Sequence, residues 1–172
     1  MVFPFFCIFN LKLFMKVVIK DLIGLEIRDI RFKYVNDNGY DLQEFTTYVK
    51  LTNELIFTIP YYYDEEFSVF EEEIEEEYLN AQYLPKDILK LFQGKKIVDF
   101  HFVFFENELC ELEKAIVELE DELYFTEMHN GPIGLNTVDL EILNMQKFKL
   151  FKQEIESEEG FKVRSLKIIS NK

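Results

Sequence analysis

The sequence predicts an α+β fold dominated by strands: a duplicated antiparallel β-meander, forming an open sheet or a partly closed barrel of about six to eight strands, with an acidic amphipathic helix between the two copies. Three observations carry that prediction. The 172 residues include 19 Phe and 16% aromatics but only 6 Gly and 4 Pro, a composition suited to pleated, half-buried surfaces. Two blocks of sequence recur in the same order along the chain. The interval between them changes its apolar period from two to nearly four.

The first block, GLEIRDIRFKY (24–34), aligns with GKKIVDFHFVF (94–104), with Gly, Ile, Asp and Phe coincident. The second, LTNELIFT (51–58), aligns with LEDELYFT (119–126) once the intervening connection is shortened by two residues; Leu51/Leu119, Glu54/Glu122, Leu55/Leu123, Phe57/Phe125 and Thr58/Thr126 are identical. Within each copy the apolar residues alternate. Ile30, Phe32 and Tyr34 are out of phase with Arg31 and Lys33, and Phe100, Phe102 and Phe104 occupy the matching phase, which is expected to face the core. After the turn NDNGYD (36–41), Thr47, Val49 and Leu51 alternate with Tyr48 and Lys50, matched by Ala115, Val117 and Leu119. Asn53-Glu54 and Asp121-Glu122 then stand where tight hairpin turns belong.

Between the copies, Tyr63, Phe67, Phe70, Ile74, Tyr78 and Ala81 fall on one stripe of a helix, with carboxylates around the rest of its circumference. PKDILKLFQG (85–94) reads as a short second helix closed by Gly94. At the ends, MKVVIK (15–20) and KVRSLKIIS (162–170) add strands. VDLEI (138–142) alternates as a strand, and NMQKFKLFKQEI (144–155) fits both periods, a strand through Phe148 and Leu150 and a helix through Phe148, Phe151 and Ile155, with the helix the preferred reading. Its Lys147, Lys149 and Lys152 form a basic patch available to neutralise the acidic helix.

Length and punctuation define one domain at 15–172, containing repeats at 24–60 and 94–128. Residues 1–14 are an apolar extension, read either as a stretch upstream of a true start at Met15 or as a first strand or staple on the core. They lack the charged n-region and small-residue cleavage site of a signal peptide and are too short to span a bilayer. The two cysteines, Cys7 and Cys110, have no metal or redox spacing, in keeping with reduced thiols and a cytoplasmic setting. A net charge of −14 disfavours binding to nucleic acid and anionic membranes.

That charge is concentrated in Asp64, Glu65, Glu66, Glu71, Glu72, Glu73, Glu75, Glu76 and Glu77, with no basic residue among them. Like charges three and four apart repel by a few tenths of a kcal/mol per pair. The run reads as a solvated face that keeps a Phe-rich chain soluble, or as an electrostatic docking surface for a basic protein. Glutamates on a straight helix diverge, unlike the oxygens of a calcium loop, so no metal is expected there.

Searching for chemistry yields exclusions. There is no nucleophile elbow, no glycine-rich phosphate loop and no paired-histidine zinc spacing, and no cofactor is implied. Asp29 and Asp99 are the carboxylates repeated in the long first strands, on the same side as Arg31 and His101. With His129, in the loop-like MHNGPIG, the residues Asp29, Asp99 and His101 form the candidate set for a small-ligand or enzymatic site at the repeat junction. Each also reads as an ordinary surface or turn residue.

A small acidic chain built of I-x-D-[IF]-x-F followed by L-x-x-E-L-x-F-T, without catalytic motifs, resembles bacterial immunity proteins that neutralise polymorphic or contact-dependent toxins. The resemblance covers 24–142. It implies a non-enzymatic inhibitor that occludes the basic active-site cleft of a toxin, often a nuclease, and it transfers no binding residues by motif. Electrostatics alone points to the acidic run at 64–77 as the contact. Both a monomer and a homodimer fit the sequence, the latter through pairing of exposed strand edges.

Overall fold

Alternating apolar residues draw a large share of the described residues into antiparallel strands, as expected, and helices pack on the sheets they form. The computed structural model describes residues 16–36, 43–63, 66–68, 72–110, 113–130 and 137–170. The apolar start at 1–14 with Cys7, the turn at 37–41, the acidic residues Asp64, Glu65 and Glu71, Phe70, and the loop from Gly131 to Gly134 lie outside the described residues.

Strand β1 (Lys16–Val18) pairs with β5 (Glu66–Ser68) as a two-stranded ribbon. A four-stranded sheet has the order β4 (Ile56–Thr58), β3 (Gln43–Leu51), β2 (Ile27–Asn36), β6 (Gln82–Tyr83). A six-stranded sheet runs β11 (Thr137–Asn144), β10 (Leu123–Asn130), β9 (Ile116–Leu119), β7 (Ile97–Phe105), β12 (Phe161–Ser165), with β8 (Glu108–Leu109) also on β7. Helices α1 (Glu72–Asn80), α2 (Lys86–Phe92), α3 (Met145–Ser157) and α4 (Leu166–Ile169) complete the chain.

The single sheet or partly closed barrel expected from the sequence therefore does not form. Two open antiparallel sheets take its place, and the reason lies where β2 and β7 begin. Their first residues bond reciprocally around a bridge between Glu26 and Lys96. Gly24 N–H donates to the Ile97 carbonyl (2.8 Å) and Gly94 N–H to the Ile27 carbonyl (2.9 Å). Ile27 N–H donates to Lys95 (2.9 Å) and Ile97 N–H to Leu25 (3.0 Å). Immediately afterwards both strands slip register, between Ile27 and Asp29 against β3 and between Ile97 and Asp99 against β9. Such bulges bend a strand and raise its twist, so β2 and β7 part and each carries its own sheet.

The bulges also invert the side-chain phase. Ile27 and Ile30 are both fully buried although three residues apart, and so are Ile97 and Phe100. These residues join Val49, Leu51, Phe57, Phe92, Phe102, Val117, Leu119 and Phe125 in one core shared by both sheets. Phe57 meets Phe100 and Phe92 meets Phe125 edge to face. Each fully buried Phe in this layer contributes about 1.5–3 kcal/mol. The anticipated core phase of the first strands holds for Ile30, Phe100, Phe102 and Phe104, whereas Tyr34 is 42% exposed at the far end of β2.

The helical stripe is only half as long as its spacing suggested. Ile74, Tyr78 and Ala81 do face the sheet, packing on Tyr48 and Ile56. Tyr63 instead packs against Phe102 and Phe104, and Phe67 sits in a strand opposite Val17. Three consecutive residues there close a ribbon with β1, satisfying backbone groups that a longer helix would have carried with more like-charge repulsion. Helix α3 forms as expected, with the Asn144 side chain accepting from Lys147 N–H (2.9 Å) at its start. It covers the outer face of the six-stranded sheet through Phe148, Phe151 and Ile155. Its lysines are therefore separated from α1, on the outer face of the other sheet, by both sheets and the core, and do not neutralise it. The C-terminal segment read as one strand divides into β12 and α4.

Candidate functional site

Helix α1 is fastened from below and open above. Its anchor is Arg31, on the outer face of β2. The guanidinium lies between two rings, 4.1 Å from the centroid of Tyr78 and 4.0 Å from that of Tyr83, a desolvated arrangement that favours cation–π attraction. Its N–H groups donate to the carbonyls of Tyr78 (3.1 Å) and Leu79 (3.3 Å), to the Tyr83 hydroxyl (2.8 Å) and to Asp29 Oδ2 (3.1 Å). A cation thus meets the carbonyl end of the helix, where the macrodipole is negative. Tyr78 returns its hydroxyl to Asp29 (2.6 Å), and the Tyr48 hydroxyl donates to Glu77 (2.8 Å). Burial and these carboxylate partners push both phenols well above the ordinary tyrosine pKa.

Away from the sheet, Glu75 and Glu76 are exposed, and so are Leu79 (63%) and Tyr83 (64%). The acidic residues therefore do different things. Glu77 is held by Tyr48 and by Lys33 at 3.4 Å and works as an anchor. Glu72 and Glu73 lie in the first turn of α1 and Glu66 in β5.

The second candidate set is divided. Asp29 belongs to the Arg31 anchor just described. Asp99 and His101 come together on the outer face of the other sheet, joined by Glu118 of β9, and the ligating atoms of these three residues lie within 4.8 Å of one another. His101 Nε2 is 2.7 Å from Glu118 Oε2. Asp99 is 3% exposed; Phe100 N–H donates to its Oδ1 (2.8 Å), Ser165 Oγ–H to its Oδ2, and Lys167 Nζ is 3.8 Å from Oδ2. The imidazole packs against Phe148 and Tyr124, at 4.9 and 6.1 Å between centroids. Burial, followed by Glu118, raises the Tyr124 phenol to about 12. His129 is in β10 opposite Val138, five residues beyond Tyr124 and so about 17 Å along the strand. The four residues do not converge on one junction site.

Sequence reasoning missed Glu118 and Arg31 as site residues. Glu118 is unremarkable in the chain and becomes a neighbour of Asp99 only through register. In the sequence Arg31 shows only that it shares a strand side with Asp29. Sequence reasoning also missed a buried pair where the sheets meet: the Glu127 side chain, 1% exposed, pairs with Lys114 and accepts from Thr47 N–H (2.5 Å). No helix among the described residues is long and apolar enough to cross a membrane. No protein-family model matches the chain, and comparison with curated proteins and with solved structures also finds no match.

Proposed function

We propose that this chain is a non-enzymatic binding module that docks on a basic protein through the outward surface of α1, most sharply an immunity-type inhibitor that covers the basic cleft of a toxin in the cytoplasm. One observation carries the reading: Arg31, Asp29, Tyr48 and Glu77 hold α1 rigidly from the sheet side, leaving Glu75, Glu76, Leu79 and Tyr83 facing outward. A preordered surface loses little conformational freedom on binding. Its carboxylates attract a cationic partner and favour correct encounters, while the exposed Tyr and Leu provide desolvated contacts beside them.

The same reading includes a duplicated meander with the acidic helix inserted between copies. Support comes from the reciprocal bonds around Glu26 and Lys96, from bulges at matching places in β2 and β7, and from positive φ at both Gly24 (88°) and Gly94 (78°). Thr52 N–H donates to Glu26 and Glu120 N–H to Lys96, which extends the correspondence into the second strands. Duplication would leave the connection between copies free to acquire its own surface.

The test uses the intact chain beside a variant with glutamates 71–73, 75 and 76 changed to glutamine and the anchoring Glu77 kept, both immobilised and exposed to native extract across a salt series. A basic protein retained by the wild type, released by salt, lost in the variant and inhibited in its own activity by the free chain is the expected result. Removing five charges should slow association at least about tenfold. Equal retention by both chains, or a complex indifferent to salt, would refute α1 as the docking surface.

A further inference from the structure

We infer that Asp99, His101 and Glu118 form a binding site for a divalent first-row transition-metal ion, with Zn²⁺ the natural test case. The strand geometry builds the site. Asp99 and His101 are two apart on β7 and project from one face, and Glu118 is the register partner of Asp99 on β9. The bulge just before Asp99 turns this set to the outer face, under the edge of α3, while Phe100 takes the core. One imidazole nitrogen and two carboxylate oxygens suit zinc or manganese, whereas calcium and magnesium favour oxygen alone.

Charge supplies a second, independent argument, because the molecule contains its own comparison. In the four-stranded sheet Asp29 follows the same bulge, faces Lys50 across the strands and is closed upon by Arg31 Nε at 3.1 Å. A protein cation completes that cluster. In the six-stranded sheet the corresponding positions are Glu118 in place of Lys50 and His101 in place of Arg31, so a metal ligand and a further carboxylate stand where two cations stood. Asp99 is nonetheless more deeply buried than Asp29, its side chain 4% exposed against 15%, and Lys167 Nζ approaches it at 3.8 Å from a side chain that is 54% exposed. Two carboxylates held this close, one of them buried, favour a cation placed between them.

The surroundings are those of a ligand set held in place. Ser165 and the Phe100 amide orient the Asp99 carboxylate, as outer hydrogen bonds do for metal-binding groups, and Phe148 fixes the plane of the imidazole. Binding exchanges the His101–Glu118 hydrogen bond for two metal bonds. The Nε2 proton that bridges to Glu118 is given up to solvent as the metal takes its place, the neutral ring then carries its proton on Nδ1 with the Nε2 lone pair on the metal, and Lys167 swings outward. Three protein ligands leave a position for water or for a side chain of another molecule. The site pins β7 to β9 and is independent of docking through α1, on the opposite face of the molecule.

The experiment takes the full chain, freed of metal by a chelator, and titrates Zn²⁺ by calorimetry and Co²⁺ by visible absorption. One equivalent should bind saturably, and imidazole NMR should show one of the two histidines perturbed, the signal that disappears in His101→Gln. Glu118→Gln and His101→Gln should each weaken binding at least about tenfold, Lys167→Met should strengthen it, and a Glu75→Gln/Glu76→Gln variant should leave it unchanged. Near-UV circular dichroism checks that each variant is folded; Glu118→Gln, nearly isosteric, decides the matter if His101→Gln is not. Unsaturable uptake, or affinity equal in wild type and Glu118→Gln, would overturn the proposal and mean adventitious adsorption to the acidic surface only.

Discussion

Replacing Arg31 with Met keeps most of the side-chain volume between Tyr78 and Tyr83 but removes the charge. Asp29 and Arg31 are 15% and 11% exposed, and breaking a pair this buried costs about 3–5 kcal/mol, mainly because one charge is left behind. Asp29 keeps the Tyr78 hydroxyl as a donor at 2.6 Å, which offsets part of the loss. The Tyr78 and Leu79 carbonyls lose a donor, but solvent at the helix end replaces it. The expected cost is about 3 kcal/mol, at the lower end of that range. With a urea m-value of about 2 kcal/mol/M, the midpoint falls by about 1.5 M without a change in slope. Native-state hydrogen exchange should show α1 amides losing more protection than those of α3. Adding Asp29→Asn to Arg31→Met removes the stranded carboxylate and should recover about 1 kcal/mol or more. A single variant within about 1 kcal/mol of wild type, or a double variant no better than the single, would refute the anchoring argument. Arg31→Lys should rescue poorly, since an ammonium cannot serve carbonyl, hydroxyl and carboxylate with a planar fork.

Lys114→Met strands Glu127, whose side chain is 1% exposed, and should cost about 3–5 kcal/mol in urea denaturation, whereas Lys114→Met/Glu127→Leu should regain much of that loss. Tyr48, Tyr78 and Tyr124 have phenol pKa values raised by burial and carboxylate neighbours, from 10.0 to about 12 for Tyr124. The folded chain then holds more protons than the unfolded one above pH 10, so their contribution is complete below pH 10 and is lost as pH rises toward 12; melting curves flat to pH 9 or so and falling beyond pH 10 check this. Gly24→Ala and Gly94→Ala meet open space but positive φ, so each should cost about 1–2 kcal/mol, and unequal costs in thermal denaturation would weaken the reading of the two junctions as equivalent.

Much of the local structure was legible because it depends on near neighbours. Alternation of Phe100, Phe102 and Phe104 marked a strand face, Gly94 marked the end of α2, and Phe148, Phe151 and Ile155 marked α3. The bulges were legible too, in the change of phase from Ile27 to Ile30 and from Ile97 to Phe100, but an eye set on simple alternation passes over them. Aromatic spacing misled at Tyr63 and Phe67, since a four-residue interval fits a helix stripe as well as it fits one residue in a loop and the next in a strand.

Near-neighbour pattern is enough for the strand-rich class, the phases of the long strands and the concentration of carboxylates between 64 and 77. Tertiary structure alone decided that two sheets form instead of one, that Arg31 is the clamp of α1, and that Glu118 joins Asp99 and His101 while Asp29 and His129 stand elsewhere. The physical reason is the same in each case. A strand's face follows from its own residues, but its neighbours across the sheet follow from register, and a one-residue slip at each bulge resets which side chains meet.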